Sequence, residues 1–110
     1  MRRALVIGIN DYEDAACPTL GGCVRDATRI AEMLEANGDG GPNFDVRLLT
    51  SDNDEVSLEQ LNEAVESLFS AAADVALFYF AGHGTVHNGH GHLIARDGKP
   101  NAWGVSLTIH

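Results

Sequence analysis

The chain has few basic residues, few cysteines and no long apolar run, and each shortage excludes a class of protein. Seven Lys and Arg stand against 16 Asp and Glu, so the formal net charge is −9. The chain therefore lacks the clustered cations that neutralise nucleic-acid phosphates or an anionic membrane surface. Two cysteines are too few for a disulfide framework and are expected to be thiols. The apolar run at residues 4–9 is too short for a signal peptide, and no segment approaches the length of a membrane span. We expect a cytoplasmic protein that binds neither nucleic acid nor membrane.

The apolar pattern alternates between strands and helices along a chain of 110 residues, the length of one domain. Short apolar runs predict buried strands at residues 3–9, 44–49 and 74–81. Apolar residues at i, i+3, i+4 and i+7 predict two helices between them. Asn37-Gly38 is a typical stop for the first helix, and Ser57 with Gln60 forms a capping box at the start of the second. This β-α-β-α-β order predicts an α/β fold, with a parallel sheet, right-handed crossovers and helices on both faces.

The last quarter of the chain gives weaker signals. Residues 82–91 are rich in glycine and histidine and predict a mobile, irregular loop. Residues 92–95 predict a short strand, Asp97-Gly98 a turn, and Ser106 the N-cap of a helix that the chain does not complete. Because a domain seldom stops where a helix begins, we expect this chain to be part of a longer domain.

One histidine stands out as a candidate for chemistry. The third predicted strand runs directly into Gly82-His83-Gly84, which places His83 at the carboxyl end of a strand, where open α/β sheets hold their active sites. An imidazole there can exchange protons near neutral pH. Gly84 permits an unusual backbone angle and leaves its amide exposed, as an oxyanion donor requires. The alternative is a histidine whose hydrogen bonds are satisfied within a loop.

Two further groups of residues allow competing interpretations. His87, His90 and His92 together with His83 could form a metal-dependent hydrolase site, but a glycine-rich loop without nearby cysteine is poorly suited to hold a metal. At the start of the first helix, Asp26 either complements the helix dipole or faces substrate. Cys23 could act as a nucleophile there, since a helix N-terminus lowers the pKa of a thiol, but no clear base lies beside it.

Three motifs in order resemble the caspase-like cysteine protease clan, and metacaspases and paracaspases most of all. The first strand and its loop read Ala4-Leu5-Val6-Ile7-Gly8-Ile9-Asn10-x-Tyr12. The start of the first helix reads Leu20-Gly21-Gly22-Cys23-Val24-Arg25-Asp26-Ala27, and the histidine motif reads Phe78-Tyr79-Phe80-Ala81-Gly82-His83-Gly84. The resemblance runs through nearly the whole chain, and three ordered motifs are far more specific than one.

The resemblance implies a cysteine endopeptidase with a caspase-like sandwich fold, of which this chain is the N-terminal, large-subunit-like part. His83 matches the catalytic base, and the amide of Gly84 matches an oxyanion-hole donor. Asp26 matches the acidic residue of the first specificity pocket in metacaspases, which implies cleavage after Arg or Lys. Cys23 matches a non-nucleophilic cysteine beside that pocket. The implied partner is a protein or peptide substrate, and no cofactor or metal is implied.

The sequence departs from this pattern in two ways. Ala81 stands where many metacaspases have Ser, which removes one polar contact from the pocket. The nucleophilic Cys of caspases lies about 50 residues after the His, beyond His110. We therefore expect residues 1–110 to be the N-terminal part of one peptidase domain, completed by a C-terminal fragment or second chain that carries the Cys. The alternative is a catalytically inactive caspase-like scaffold for protein interactions.

Overall fold

Among the described residues, three parallel strands alternate with two helices, and three antiparallel strands follow them along the chain. The computed structural model describes residues 2–36, 43–70, 72–87, 89–99 and 102–107. In chain order the elements are β1 Arg2–Gly8, α1 Cys23–Glu35, β2 Asp45–Thr50, α2 Leu58–Ser70, β3 Val75–Ala81, β4 Gly84–His87, β5 His90–Lys99 and β6 Ala102–Leu107. The predicted parallel α/β core is confirmed, while the Asn37-Gly38 helix stop lies outside the described residues.

Strand β1 is the centre of the parallel sheet. It pairs with β2 on one side and β3 on the other, in the order β2-β1-β3. Ile7 stands opposite Leu49 of β2 and Phe80 of β3. Because both faces of a central parallel strand are covered by helices, its sequence is a continuous apolar run, and residues 4–7 are at most 2% exposed.

The two helices pack on opposite faces of this sheet, as the sequence predicts. Ala27 and Ala31 of α1 pack against Val6. A Cβ added to Gly8 would lie 2.7 Å both from the Cβ of Ala27 and from the carbonyl oxygen of Cys23. Gly8 therefore lets the start of α1 approach the carboxyl end of β1 closely.

Helix α2 covers the other face, through Leu61, Ala64 and Leu68 packed with Leu5 and Ile7. No helix within the described ranges is long and apolar enough to cross a membrane.

The predicted capping box at the start of α2 is present, with one difference. The Oγ of Ser57 accepts the N–H of Gln60 at 3.2 Å, and Oε1 of Gln60 accepts the N–H of Val56 at 2.7 Å, one residue earlier than in the usual motif. Asp97 of β5 adds a tertiary cap, because its Oδ1 accepts the N–H of Leu58 at 2.8 Å.

The expectations for the last quarter of the chain are mostly wrong. Instead of an irregular loop after β3, β4 pairs with β5 in an antiparallel hairpin, with Thr85 opposite His92. The predicted short strand is part of the longer β5, which also contains Asp97-Gly98, although the pairing with β6 shifts register between Ile94 and Lys99. Ser106 lies in β6 rather than at a helix N-cap. Local glycine and serine signals are overridden here by backbone hydrogen bonds from neighbouring strands.

Candidate active site

The backbone and ring of His83 are both held at the carboxyl edge of the parallel sheet. Ala81, the last residue of β3, stands opposite Gly8 of β1, so His83 lies just beyond that edge. Its N–H donates to the hydroxyl of Tyr12 at 2.7 Å, and its Nε2 lies 2.7 Å from the carbonyl oxygen of Pro18. Because a carbonyl can only accept, Nε2 carries the hydrogen of this bond. In the neutral ring Nδ1 then keeps its lone pair and is the atom that can take up a proton.

Tyr12 supports His83 from the loop after β1. Its ring meets the imidazole edge-on, with centroids 4.9 Å apart and an interplanar angle of 61°. The hydroxyl occupies space next to Gly82, where an added Cβ would lie 2.6 Å from it. Burial raises the pKa of Tyr12 to about 12, although the hydrogen bond from His83 opposes this shift. The phenol therefore stays protonated near neutral pH and accepts the His83 N–H as a neutral group.

Asn10 fixes the loop that carries the Pro18 carbonyl. Its side-chain Oδ1 accepts the N–H of Val24 at 3.1 Å, and its carbonyl accepts the N–H of Leu20 at 2.6 Å. Gly22, the N-cap residue of α1, makes no side-chain cap, so Asn10 supplies that hydrogen bond from the end of β1. One residue, through its side chain and its carbonyl, thereby links strand, loop and helix around the histidine.

Gly84 is the first residue of β4. Among the glycines in the described ranges, positive φ occurs at Gly89 and not at Gly84, so Gly84 does not use the backbone freedom that glycine permits. The amide direction follows from the strand pairing. The carbonyl of His83 accepts the N–H of Ile94 at 3.0 Å, and hydrogen-bonded and non-hydrogen-bonded pairs alternate along an antiparallel ladder. Gly84 and Leu93 are the next pair, so the Gly84 N–H points away from β5.

Cys23 and Asp26 occupy the first turn of α1, at the same edge of the sheet. Burial and the neighbouring Asp26 carboxylate raise the pKa of the Cys23 thiol. A raised pKa favours the thiol over the thiolate, which argues against Cys23 as a nucleophile. The Asp26 side chain is 55% exposed, and its Oδ1 lies 3.9 Å from Nε of Arg25. This carboxylate is accessible to a ligand, with one cation already beside it.

The described part of the histidine-rich segment gives no support to the metal hypothesis. Within the described part of the chain, no three His, Cys, Asp or Glu side chains come close enough to hold a metal ion. His83 donates to Pro18, while His92 lies within the β4–β5 ladder. The side chain of His87 lies outside what the structure describes.

The sequence did not reveal the groups that hold His83. Tyr12 belongs to a recognised motif, but its spacing gave no sign that its hydroxyl would reach a residue 71 positions later. The Pro18 partner is a backbone carbonyl, which every residue type has, so no residue pattern could indicate it. Asn10 offered a signal, since an Asn at a strand end often caps neighbouring backbone groups.

A family model described as the caspase domain matches residues 1–102. No match was found among the curated proteins.

Proposed function

This chain belongs to the caspase-domain family, whose members are cysteine peptidases, and we propose that it supplies the general base and part of the substrate pocket of such an enzyme. The observation that carries this proposal is the hydrogen bond from His83 to the Pro18 carbonyl. It assigns the hydrogen to Nε2 and leaves Nδ1 as the proton acceptor at the carboxyl edge of an α/β sheet. The enzyme is of the metacaspase type, and both free cysteines fit a cytoplasmic location.

The reaction follows the general Cys-His scheme. A Cys thiol from a segment outside this chain, or from a second chain, gives its proton to Nδ1 of His83, and the sulfur attacks the scissile carbonyl carbon. The Gly84 N–H, directed away from β5, donates to the oxyanion that forms. The Pro18 carbonyl stabilises the imidazolium through Nε2–H. When the C–N bond breaks, the imidazolium protonates the leaving amine, and water then hydrolyses the thioester.

Substrate preference rests on Asp26. An exposed carboxylate in the first turn of α1 lies at the same sheet edge as His83, and it can form a charge-assisted hydrogen bond with Arg or Lys on the substrate. Arg25 beside it competes for the same carboxylate. The enzyme therefore cleaves after a basic residue, and the strength of that preference depends on displacing Arg25.

The test compares two histidines in the full-length protein that contains this chain. His83→Ala should lower turnover of a peptide with Arg before the scissile bond by about 10²- to 10⁴-fold, the usual contribution of a general base. His90→Ala removes an exposed histidine of β5 and should leave turnover unchanged. Both variants should unfold within a few degrees of the wild type. Equal turnover in the wild type and His83→Ala would reject the base assignment. A folded wild type without any peptidase activity would favour the scaffold alternative.

A further inference from the structure

We infer that Arg96 of β5 is a positioning residue for His83, acting through the loop that carries Tyr12. The inference rests on the proposed function, because positioning matters only if His83 is the base. Arg96 belongs to the antiparallel sheet and touches neither His83 nor the proposed substrate pocket. Its contacts nevertheless enclose Tyr12, whose hydroxyl accepts the N–H of His83.

Arg96 binds the residues on both sides of Tyr12. Its Nε and Nη2 donate to Oδ2 of Asp11 at 3.1 and 2.9 Å. Its carbonyl accepts the N–H of Glu13 at 2.9 Å. Tyr12 stands between these two anchors, with its hydroxyl on the N–H of His83. A loop residue fixed on both sides has little freedom to move its hydroxyl away.

Arg96 is itself tied to the folded core. Its N–H donates to the carbonyl of Val56 at 3.0 Å, and Val56 is fully buried two residues before α2. The chain of contacts thus runs from the core through Arg96 and the Tyr12 loop to His83. Only the last step of this chain lies at the proposed active site.

Asp11 is held as an anion for this role. Burial alone would raise the pKa of Asp11, but hydrogen bonds from Ser51 and Arg96 and the charge of Arg96 bring it below the ordinary value. The Ser51 Oγ also accepts the N–H of Asn10 at 3.0 Å, which places a second anchor immediately before Asp11. The carboxylate therefore joins the end of β2 and the side chain of Arg96.

The same molecule contains a matched ion pair with no link to the site. Nη1 of Arg47 lies 2.8 Å from Oε2 of Glu63, with side chains 43% and 62% exposed, against 36% and 46% for Arg96 and Asp11. Ion pairs this exposed add little to global stability. Removing either arginine should therefore lower the free energy of unfolding by a similar, small amount. Only the loss of Arg96 should change the environment of His83.

The experiment measures amide hydrogen exchange at His83 and the nitrogen NMR spectrum of its ring in Arg96→Gln and Arg47→Gln. We expect Arg96→Gln to speed exchange of the His83 amide about two- to fivefold, the local effect of losing one partly exposed ion pair, and to shift the ring signals. Arg47→Gln should leave both unchanged. Arg96→Lys, which keeps the charge, should restore part of the protection. Equal exchange at His83 in Arg96→Gln and Arg47→Gln would overturn the inference.

A second variant and an activity measurement complete the test of the Arg96 inference. If Arg96→Gln does not fold, Asp11→Asn removes the same ion pair with little change of shape and should give the same exchange pattern. In the full-length enzyme Arg96→Gln should lower kcat and leave KM unchanged. The NMR result tests the coupling between Arg96 and His83 whether or not His83 is a base. A full-length protein without peptidase activity but with the expected exchange pattern would therefore reject the proposed function and not the positioning role of Arg96. An unchanged His83 amide in an active enzyme would reject only the positioning.

Discussion

The polar groups at the amino and carboxyl edges of the parallel sheet are arranged differently. At the amino edge, a cavity of about 70 Å³ lies between β1, β2 and α2, and its polar lining includes Arg3, Asp45, Arg47 and Ser67. At the carboxyl edge, two hydrogen bonds from the loop after β1 hold a single histidine, one at its backbone N–H and one at Nε2 of its ring. The amino edge offers space and charge, whereas the carboxyl edge offers one oriented proton acceptor. Orientation, rather than cavity volume, identifies the candidate site.

The difference has its origin in strand direction. In a parallel sheet every strand enters at the amino edge and leaves at the carboxyl edge, so the loops that follow β1 and β3 meet there. The loop after β1 contributes Tyr12 and the Pro18 carbonyl, and the segment after β3 contributes His83. Three predictions test this difference between the two edges.

The largest effect is expected at Gly8, where α1 begins its approach to the carboxyl edge. Gly8→Ala places a Cβ 2.7 Å from a backbone oxygen and from the Cβ of Ala27, and neither can rotate away. We expect a loss of about 3 kcal/mol in the free energy of unfolding, the upper range for overpacking. Gly21→Ala is the control, because no atom lies within 4 Å of its added Cβ. Denaturant unfolding measures both, and equal losses would contradict the close approach.

An intermediate effect is expected at Asp26, which tests whether the carboxyl edge also selects substrate. Asp26→Asn in the full-length enzyme should lower kcat/KM for cleavage after Arg about tenfold or more, because the negative charge that strengthens the hydrogen bond from the substrate Arg is lost. Stability should change little, since the carboxylate is exposed. Glu32→Gln removes a charge from an exposed position of the same helix and serves as the control. If Glu32→Gln has the same effect, net charge rather than a pocket explains the preference.

The smallest effect concerns the Asp11–Arg96 ion pair and pH. The folded-state pKa of Asp11 is below its ordinary value of 3.8, so the unfolded chain binds the proton more readily. The stabilisation is therefore fully present above that value and is lost as the pH falls through the lower, folded-state pKa. Both partners are partly exposed, so we expect well under 1 kcal/mol. Urea unfolding of the wild type and Asp11→Asn between about pH 6 and pH 3 measures it, and a gap that widens on acidification would contradict this sign.

Prediction from sequence succeeded where local pattern and tertiary structure agree. The apolar run around Val6 indicated a central strand because both of its faces are buried, and Ser57 with Gln60 indicated a helix start because their hydrogen bonds are local. Prediction failed after Gly82, where glycine and histidine suggested a loop and the chain forms a hairpin. The stability of that hairpin comes from cross-strand pairs, which no single segment encodes.

The order of strands and helices and the placement of His83 after a buried strand follow from the sequence alone, because hydrophobic periodicity acts over a few residues. The sequence also carried the motifs that agree with the caspase-domain match. The tertiary structure was needed to show which nitrogen of His83 is free, which way the Gly84 amide points and that Arg96 contacts the residues on both sides of Tyr12. The bond to Pro18 spans 65 positions and that from Arg96 to Asp11 spans 85, and both depend on how the loops meet at the sheet edge. Backbone groups are the same in every residue, so their partners are settled by the fold rather than by side-chain type.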